Sequence, residues 1–337
     1  MRCPELSELP LPPPGKQGWP WTEQSQLVRE HPSENRSWPR ITIVTPSFNH
    51  GRFIEETIRS VLLQGYTDLE YFVLDGGSTD NTVEIIEKYS SWMSFWVSEH
   101  DRGQSAAINR GLRMGSGFYA TWINSDDMLC KNALANQVLK IGLDGDFIYA
   151  GDCVNVDETG KILFTHRGRV NSLEDLVRIP TVWHSGGYIC QPEVLFPLDL
   201  ARRVGGLNEQ NHLTMDYELW GQFLLADAKF HYTGIPFGMF RRHDAQKTQL
   251  SMEQTESMLR TAVALLGRAN CLPVNAKREI QADLLAYWEA YPQELWKQSG
   301  RLARIGLPRG IVTALREAKR KMERVLTTFS KSCERSK

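Results

Sequence analysis

Between residues 41 and 123, short apolar, β-branched runs alternate with segments whose apolar residues recur at helical spacing. The first run is Ile41–Thr45, and helical spacing follows from Phe53 to Leu62. Further segments follow in the same order, at Tyr71–Leu74, Val83–Ile86, Phe95–Val97, Gln104–Arg113 and Phe118–Ile123. Because parallel strands joined through helices require right-handed crossovers, this order predicts an α/β fold with a doubly wound, mostly parallel sheet.

The pattern changes after about residue 145, which predicts a smaller mixed β region. Short strands are expected at Phe147–Tyr149, Cys153–Val156, Ile162–Thr165 and Phe237–Arg241. A helix is expected at Asp216–Ala226, and helical patterns run from about residue 252 onward. The predicted units are an extended N-terminal arm at 1–39, one α/β domain at 40–250 with halves at 40–130 and 131–250, and a helical extension at 251–337.

Composition excludes several classes of protein. The formal net charge of −1 argues against a nucleic-acid-binding protein. The six cysteines include no CxxC pair, which favours reduced thiols over a disulfide framework or a zinc site. Neither an apolar signal core nor an apolar run of about 18 residues is found, so no transmembrane helix is predicted. We therefore expect a cytoplasmic protein.

The C-terminal tail is strongly basic. Residues 301–337 carry 11 Lys+Arg and 3 Asp+Glu, a net charge of +8 that leaves −9 for the rest of the chain. Apolar residues recur at steps of three and four from Ile311 to Phe329, after Pro308, which predicts a basic amphipathic helix. Such a helix either contacts anionic lipids peripherally, at the inner face of the cell membrane, or packs on the body or a partner chain. The sequence decides neither this nor the oligomeric state.

Polar and small residues stand where the predicted strands end. In open α/β sheets the ligand binds beyond the carboxyl ends of the strands. The four places are Thr45-Pro46-Ser47, Asp75-Gly76-Gly77, Glu99–Gln104 and Asn124-Ser125-Asp126-Asp127.

The last of these contains two adjacent carboxylates, Asp126 and Asp127, directly after an apolar strand. Adjacent carboxylates repel each other unless a cation or hydrogen bonds offset the repulsion. Mg²⁺ or Mn²⁺ would provide this and would also suit a diphosphate. The alternative is that Ser125–Asp127 caps the next helix, but the position at a strand end favours a metal.

Three further residues have two interpretations each. Asp75 precedes two glycines and either binds a uracil or ribose or caps the next helix. Asp216 begins a predicted helix and either accepts a proton from an acceptor hydroxyl or caps that helix. His243 follows Arg241 and Arg242, and either these residues serve a metal and a diphosphate or the histidine is structural.

In their order and spacing these pieces resemble the family 2 glycosyltransferases, which are inverting enzymes with the GT-A fold. The resemblance runs from Ile41 to about Thr248, roughly three-fifths of the chain. The matching pieces are Thr45–Asn49, Asp75–Asp80, Asp101–Gly111, Trp122–Asp127, Gln191-Pro192, Val204–Glu209 and Asp216–Trp220.

The resemblance implies transfer of a sugar from a nucleotide sugar, UDP-sugar being the first choice, to a saccharide or lipid-linked acceptor in the synthesis of a surface polysaccharide or glycolipid. Residues 40–130 would bind the donor and 131–250 the acceptor. Asp216 would be the catalytic base, and Asp126 with His243 would bind Mn²⁺ or Mg²⁺. The donor would contact Thr45, Pro46, Ser47, Asn49, Asp75, Gly76, Asp101, Gln104, Asn109, Asn124, Ser125 and Arg242.

Two positions depart from the family's pattern. Asn124 occupies the first position of the DxD-type motif, and an amide can still donate and accept hydrogen bonds there. Met215 stands where many members have an acidic residue before the base. Neither departure indicates an inactive protein.

Other functions fit less well. A dinucleotide oxidoreductase needs GxGxxG after its first strand, where this chain has Ser47–Gly51, and the GxxxxGK[ST] of a P-loop kinase is missing. Sugar-1-phosphate nucleotidyltransferases usually have a Gly-rich, basic first loop, unlike Thr45–Arg52. A non-catalytic nucleotide-sugar-binding or scaffold protein of the same fold is the remaining alternative.

Overall fold

The structure is a computed structural model that describes residues 3–28, 37–141, 147–244, 246–247 and 252–298. The predicted amphipathic tail helix lies outside these residues, so its contact with a membrane stays a prediction. Within the described ranges, none of the helices is both long and apolar enough to cross a membrane. The five cysteines of these ranges are free thiols, in agreement with the sequence.

Nine strands of the described chain form one sheet. The strands are β1 Ile41–Ser47, β2 Leu69–Asp75, β3 Phe95–Ser98, β4 Tyr119–Trp122, β5 Met128–Leu129, β6 Phe147–Val156, β7 Ile162–His166, β8 Val194–Pro197 and β9 Lys229–Arg241. Their order is β3-β2-β1-β4-β8-β6-β9-β5, with β7 paired to β6. The run β3-β2-β1-β4 is parallel, whereas β8 is antiparallel to both of its neighbours. The predicted α/β fold is therefore confirmed, with its mixed region in the second half.

Helices cover both faces of this sheet. They are α1 Ile54–Leu62, α2 Thr82–Tyr89, α3 Gln104–Met114, α4 Ala133–Lys140, α5 Leu173–Val177, α6 Leu198–Arg203, α7 Met215–Leu225, α8 Met252–Arg268 and α9 Val274–Gln298. Short 3-10 helices occur at Leu6–Glu8, Ser90–Trp92 and Gln191–Glu193, and a π-helical turn at Ile179–Gly187. Helices α8 and α9 lie within residues 251–337, for which the sequence predicts a helical extension, and this division into units stays a prediction.

Alternate residues of the central strands enter two hydrophobic layers. In β2, Phe72 and Leu74 pack with α3, α6, α7 and α8, whereas Tyr71 and Val73 pack with α1, α2 and α4. All of β1 is buried. With both faces covered, the loops at the carboxyl ends of the strands are the place left for a ligand.

The sequence prediction of two separate strands at Phe147–Tyr149 and Cys153–Val156 is wrong, because β6 runs through both. Gly151 lies inside this continuous strand. A Cβ at Gly151 would be 2.4 Å from the carbonyl oxygen of Ile235, so only glycine permits β9 to approach this closely. The register between β6 and β9 shifts at this place, as in a bulge.

The N-terminal arm packs on the domain through its tryptophans. The indole N–H of Trp19 donates to the carbonyl of Leu129 at 2.9 Å, and Trp38 meets Tyr66 edge to face. The guanidinium of buried Arg59 donates to arm carbonyls, among them that of Pro20 at 3.1 Å. The arm therefore supplies acceptors that this buried cation requires.

A buried ion pair joins several elements. The guanidinium of Arg241, on β9, lies 2.7 Å from the carboxylate of Glu56 on α1, with side-chain exposures of 0% and 7%. The indole of Trp21 donates to the same carboxylate at 2.8 Å, and Arg241 also donates to the backbone carbonyls of Asp126 and Glu158. The arm, α1, β9 and the loop after β4 thus meet at one charge pair.

Glu56→Gln is expected to lower the free energy of unfolding by about 3–5 kcal/mol, because a buried cation loses its counter-charge. Urea denaturation measures this. The matched control is Asp68→Asn, which breaks the exposed Arg40–Asp68 pair of 2.9 Å and should lower the stability far less, because water screens exposed charges. Equal losses of unfolding free energy in the two variants would show that the buried pair contributes no more to stability than the exposed pair.

Candidate functional site

Hydrogen bonds fasten the loops after β1 and β2 to each other. The backbone N–H of Asn49 donates to the Ser78 hydroxyl at 2.7 Å, and the N–H of Thr79 donates to Asn49 Oδ1 at 2.8 Å. The N–H of Gly76 donates to the carbonyl of Ser47 at 2.8 Å. Asn49 has a φ of 53°, a left-handed conformation that asparagine tolerates well. Its side chain therefore builds the edge of the sheet on which a ligand would lie.

Asp75 organises the turn that follows β2. Its carboxylate accepts the backbone N–H groups of Gly77 and Ser78 at 3.1 and 2.8 Å. The hydroxyls of Ser78 and Ser98 donate to it as well. The residue is 2% exposed. The capping interpretation is wrong, because α2 begins at Thr82 with Asn81 as its N-cap, and Asp75 instead fastens the turn at Gly77-Ser78. A contact of Asp75 with a nucleoside stays a prediction.

The loop after β3 lies directly against Gly76. A Cβ at Gly76 would be 3.2 Å from Asp101 Oδ1, a distance that few side chains tolerate. Asp101 in turn accepts the N–H of Gly103, the residue before α3, at 2.7 Å. The absence of a side chain at Gly76 thus brings the loops after β2 and β3 together.

Asn124 is the centre of an amide network at the end of β4. Its Oδ1 accepts from Gln104 Nε2 at 2.7 Å, and its Nδ2 lies 3.2 Å from both Asp127 Oδ2 and Gln191 Oε1. Gln191 donates to the carbonyl of Trp122 at 2.6 Å. Gln191 belongs to a motif of the resemblance, but its role as a support of Asn124 was not predicted. In the sequence, the Gln191-Pro192 motif marked this position without indicating that Gln191 contacts Asn124.

The two predicted metal ligands lie in contact. Asp126 Oδ2 is 3.0 Å from His243 Nε2, although the residues are 117 positions apart. Next to them, His50 Nδ1 is 2.6 Å from the hydroxyl of Ser125, and the rings of His50 and His243 are 6.5 Å apart. Burial opposes the charged form of Asp126, but the hydrogen bond from His243 and the charge of His50 hold its pKa below the usual value.

The neighbouring carboxylates differ in their surroundings. Asp127 is buried, accepts the backbone N–H of Arg241 at 2.9 Å, and fixes the end of β9 to the loop after β4. Burial, together with the charge of Asp126, raises the pKa of Asp127 well above its usual value. The hydrogen bonds that Asp127 accepts from Arg241 and Asn124 act in the opposite direction and offset part of the repulsion that the two adjacent carboxylates present.

Lys247 reaches the same edge and was not predicted from the sequence. Its ammonium group donates to Gln104 Oε1 at 3.0 Å. Burial lowers the pKa of Lys247, whereas the carboxylates of Asp126 and Asp101 act in the opposite direction. Lys247, on a segment that the motifs do not include, therefore places a basic side chain beside Gln104 and near the carboxylates of Asp126 and Asp101.

Asp216 lies in the first turn of α7. Its Oδ1 accepts the backbone N–H of Tyr217 at 2.8 Å, and burial raises its pKa above the usual value. The preceding residue, Met215, has its sulfur 2.8 Å from the hydroxyl of Ser105, which follows Gln104 on α3. A chain of contacts therefore connects Asp216 through α3 to Asn124.

Three predicted donor residues have other partners in the structure. The hydroxyl of Thr45 is buried and accepts from Tyr71 at 3.2 Å. The amide of Asn109 pairs with the backbone of Leu207 at 2.9 Å. Arg242 donates to Asn155 at 2.9 Å and lies over Phe164. These side chains support β1, the loop after α6 and the β6–β7 hairpin respectively.

Ser47 and Pro46 lie at the carboxyl end of β1, opposite Asp75 and Leu74 of β2. The hydroxyl of Ser47 is buried and has no hydrogen-bond partner among the described residues. A buried hydroxyl without a partner is unusual in native structures and is explained when a ligand completes it. Ser47 therefore agrees with a ligand at this edge.

Comparison with known proteins assigns the chain to a family. Residues 42–192 match the family described as glycosyl transferase family 2. This stretch, from β1 to the 3-10 helix Gln191–Glu193, belongs to the family 2 glycosyltransferases. An uncharacterized glycosyltransferase of Rickettsia typhi is 27% identical over 66% of this chain and 70% of its own length. Chondroitin synthase of Escherichia coli is 27% identical over 54% of this chain but only 26% of its own length.

Solved structures show the same GT-A fold. A fragment of TarS from S. aureus in complex with UDP-GlcNAc has a TM-score of 0.56 at 16% identity, over 74% of this chain and 73% of the fragment. A mannosyltransferase from Pyrobaculum calidifontis in complex with GDP-Man and Mn²⁺ has a TM-score of 0.52 at 18% identity, over 94% of this chain and 92% of its own. Identities this low establish the fold alone.

The side-chain atoms of Asp126 and His243 that could ligate a metal fit a divalent cation such as Mn²⁺. Asp126 and His243 offer one oxygen and one nitrogen side by side. Within the described residues, no third His, Cys, Asp or Glu ligand atom joins them. Mg²⁺ and related ions commonly bind one or two protein ligands and fill the remaining positions with phosphate oxygens and water. The pair is therefore sufficient for a cation that a diphosphate helps to bind.

Asp75→Ala is expected to lower the free energy of unfolding by about 1–3 kcal/mol, because buried donors of its turn lose their acceptor. Urea denaturation measures the loss. Asp75→Asn keeps one carbonyl oxygen on the turn and should lose less. A stability of Asp75→Ala equal to that of the unmodified chain would contradict the structural role.

Proposed function

We propose that this family 2 glycosyltransferase transfers a sugar from a UDP-sugar to a hydroxyl of a saccharide or lipid-linked acceptor, with inversion and with Mn²⁺ or Mg²⁺. The observation that carries the proposal is the Asp126–His243 contact at the carboxyl end of β4, joined through Asn124 and α3 to Asp216. A UDP-GlcNAc-binding neighbour and a GDP-Man- and Mn²⁺-binding neighbour of the same fold support it.

The donor is proposed to lie across the ends of β1, β2 and β4. The unpartnered hydroxyl of Ser47 contacts the nucleoside in this arrangement, and Gly76, whose N–H donates to the Ser47 carbonyl, lies beside it. Asn124 faces the ribose through its amide, held in orientation by Gln104 and Gln191. Lys247 stands beside Gln104 and Asp126, where it would contact the diphosphate. A lysine in such a position acts as a point charge on phosphate oxygens.

Asp126 and His243 would hold the cation. When bound, a divalent cation there stabilises the negative charge that develops on the leaving diphosphate. His50 and Ser125 form the adjoining contact at 2.6 Å and so support the position of the Asp126 loop. Asn124 and Gln104 orient the donor from the other side of that loop.

Asp216 is proposed as the general base. An acceptor hydroxyl gives its proton to the Asp216 carboxylate while its oxygen forms a bond to the anomeric carbon. The bond from the anomeric carbon to the phosphate oxygen breaks in the same displacement, and the electron pair leaves with UDP. Because burial raises the pKa of Asp216, this carboxylate is a stronger base than an exposed aspartate.

A role in surface polysaccharide or glycolipid synthesis is the proposed biological setting. The partial match to chondroitin synthase supports a polymer or oligosaccharide as acceptor. UDP is the proposed nucleotide because neighbours of the same fold bind UDP and UDP-GlcNAc. Peripheral contact of the basic tail with the inner face of the cell membrane belongs to the same proposal.

Asp216→Asn is expected to lower the rate of donor turnover by about 10²–10⁴-fold, because positioned proton transfer is lost. UDP release from a UDP-sugar by water, in the presence of Mn²⁺, measures turnover without a known acceptor. The affinity for UDP should stay within about twofold, since the amide keeps the size of the side chain.

The matched control for this measurement is Asp199→Asn, which changes an exposed aspartate on α6. This variant should release UDP at the rate of the unmodified chain. Near-normal turnover of Asp216→Asn would remove this residue from the role of base. The absence of UDP release by the unmodified chain with every UDP-sugar would favour the non-catalytic alternative.

Asp126→Ala and His243→Ala are expected to reduce Mn²⁺-dependent UDP affinity by at least about tenfold each, because each removes one of two protein ligands. Calorimetric titration of UDP with and without Mn²⁺ measures this. Asp68→Asn, at an exposed ion pair, is the control. A UDP affinity that Mn²⁺ raises equally in the variants and the unmodified chain would contradict the metal site.

A further inference from the structure

A second cluster of metal-binding side chains lies next to the amide network of Asn124. Cys153 belongs to β6, Cys190 precedes the 3-10 helix Gln191–Glu193, and Glu193 ends that helix. The two sulfurs and one carboxylate oxygen all lie within 4.8 Å of one another. The three residues come from two segments 37 positions apart, which explains why the sequence shows no metal-binding spacing.

The spacing of these atoms suits a single ion. In zinc sites the metal lies about 2.3 Å from sulfur and about 2.0–2.2 Å from carboxylate oxygen. Three ligands of one such ion are therefore about 3.5–4 Å from each other. Small rotations of side chains close the difference from the present separations. Two thiolates also select a soft or borderline ion over Mg²⁺ or Mn²⁺.

Glu193 provides an independent indication. The residue is fully buried, and its Oε1 accepts the backbone N–H of Cys190 at 3.1 Å. Its Oε2 has no hydrogen-bond partner among the described residues. None of the ion pairs found among these residues includes Glu193. A buried carboxylate oxygen without a partner is costly unless a cation or a proton satisfies it. Two adjacent sulfur ligands make a metal cation the appropriate partner.

We propose that Cys153, Cys190 and Glu193 form a Zn²⁺ site, with water in the fourth position. The site is separate from the Asp126–His243 pair, whose oxygen and nitrogen ligands suit Mn²⁺ or Mg²⁺. Each thiol and the carboxyl group lose their protons when the ion binds. Cys190 is only partly buried, whereas Cys153 and Glu193 are buried.

The position of the site gives it a structural effect on the donor edge, that is, the carboxyl ends of β1, β2 and β4, where the sugar donor is proposed to lie. Gln191 follows Cys190 directly, and it holds both the carbonyl of Trp122 and the amide of Asn124. An ion that ties Cys190 and Glu193 to β6 fixes the short helix between them. The ion therefore positions Gln191, and through it Asn124.

Cobalt titration tests the proposal on the full chain, reduced and freed of metal with a chelator. Co²⁺ in a site with two thiolates is expected to give a strong thiolate-to-metal charge-transfer absorption that saturates at one ion per chain and disappears when Zn²⁺ is added. Cys153→Ser and Cys190→Ser should each abolish this absorption, and Glu193→Gln should weaken Co²⁺ affinity by at least about tenfold. The absence of the absorption in the unmodified chain would overturn the proposal.

Two controls separate this site from others. Cys271→Ser removes an exposed thiol outside the cluster and should leave the absorption unchanged. Asp126→Ala should also leave it unchanged, so that a failure of the proposed Mn²⁺ site and a failure of this one are distinguished. Loss of the absorption in either control would place the ion elsewhere.

A second measurement needs no variant and so does not depend on their folding. Alkylation of the unmodified chain, followed by mass spectrometry of its peptides, reports the accessibility of each thiol. One equivalent of Zn²⁺ is expected to slow modification of Cys190 at least about tenfold and to leave Cys271 unaffected. Unchanged modification of Cys190 in the presence of Zn²⁺ would overturn the proposal.

Discussion

The buried ion pair between Glu56 and Arg241 is the interaction on which the donor edge depends. Arg241 ends β9, and its guanidinium reaches α1 and the backbone carbonyl of Asp126 at the same time. Its own backbone N–H donates to Asp127. One side chain thus fixes where β9 ends, and with it the position of His243 two residues later. His243 itself packs on Phe53, with ring centroids 4.8 Å apart, and its backbone N–H donates to Gln246. Burying the Arg241 guanidinium costs free energy, and the Glu56 carboxylate offsets this cost only when the two groups are in contact. This requirement fixes the position of the Arg241 side chain.

The carboxyl ends of the strands are held together by polar side chains that the sequence also marks as site residues. Asn49 and Asp75 use their oxygens on backbone N–H groups of neighbouring loops, and Asn124 uses its amide on other amides. Such groups order the loops before any ligand arrives. A preorganised edge binds a ligand without a large cost of ordering the protein. Ser47 differs because its buried hydroxyl is unpartnered within the described residues, which makes it a direct contact in the proposed donor complex.

Two kinds of metal-ligand atoms lie in separate places in this glycosyltransferase. Asp126 and His243 lie at the edge of the sheet, where a diphosphate can complete a hard cation. Cys153 lies on β6, and Cys190 and Glu193 flank Gln191, which supports Asn124. The softness of the ligands and their access to phosphate assign different ions to the two places. In the proposed scheme one ion takes part in the reaction, and the other fixes the framework around it.

The sequence by itself determined the α/β order, the ends of β1, β2 and β4, and the residues that gather there, because strand and helix periods and turn residues are local properties. It also indicated the family through the order of its motifs. The continuity of β6 through Gly151, the partners of Thr45, Asn109 and Arg242, and the contribution of Lys247 were decided by tertiary structure alone. The contact of Asp126 with His243 and the gathering of Cys153 with Glu193 likewise join residues far apart in the chain. Periodicity reports which face of an element is buried, whereas partners across the sheet depend on how the elements pack.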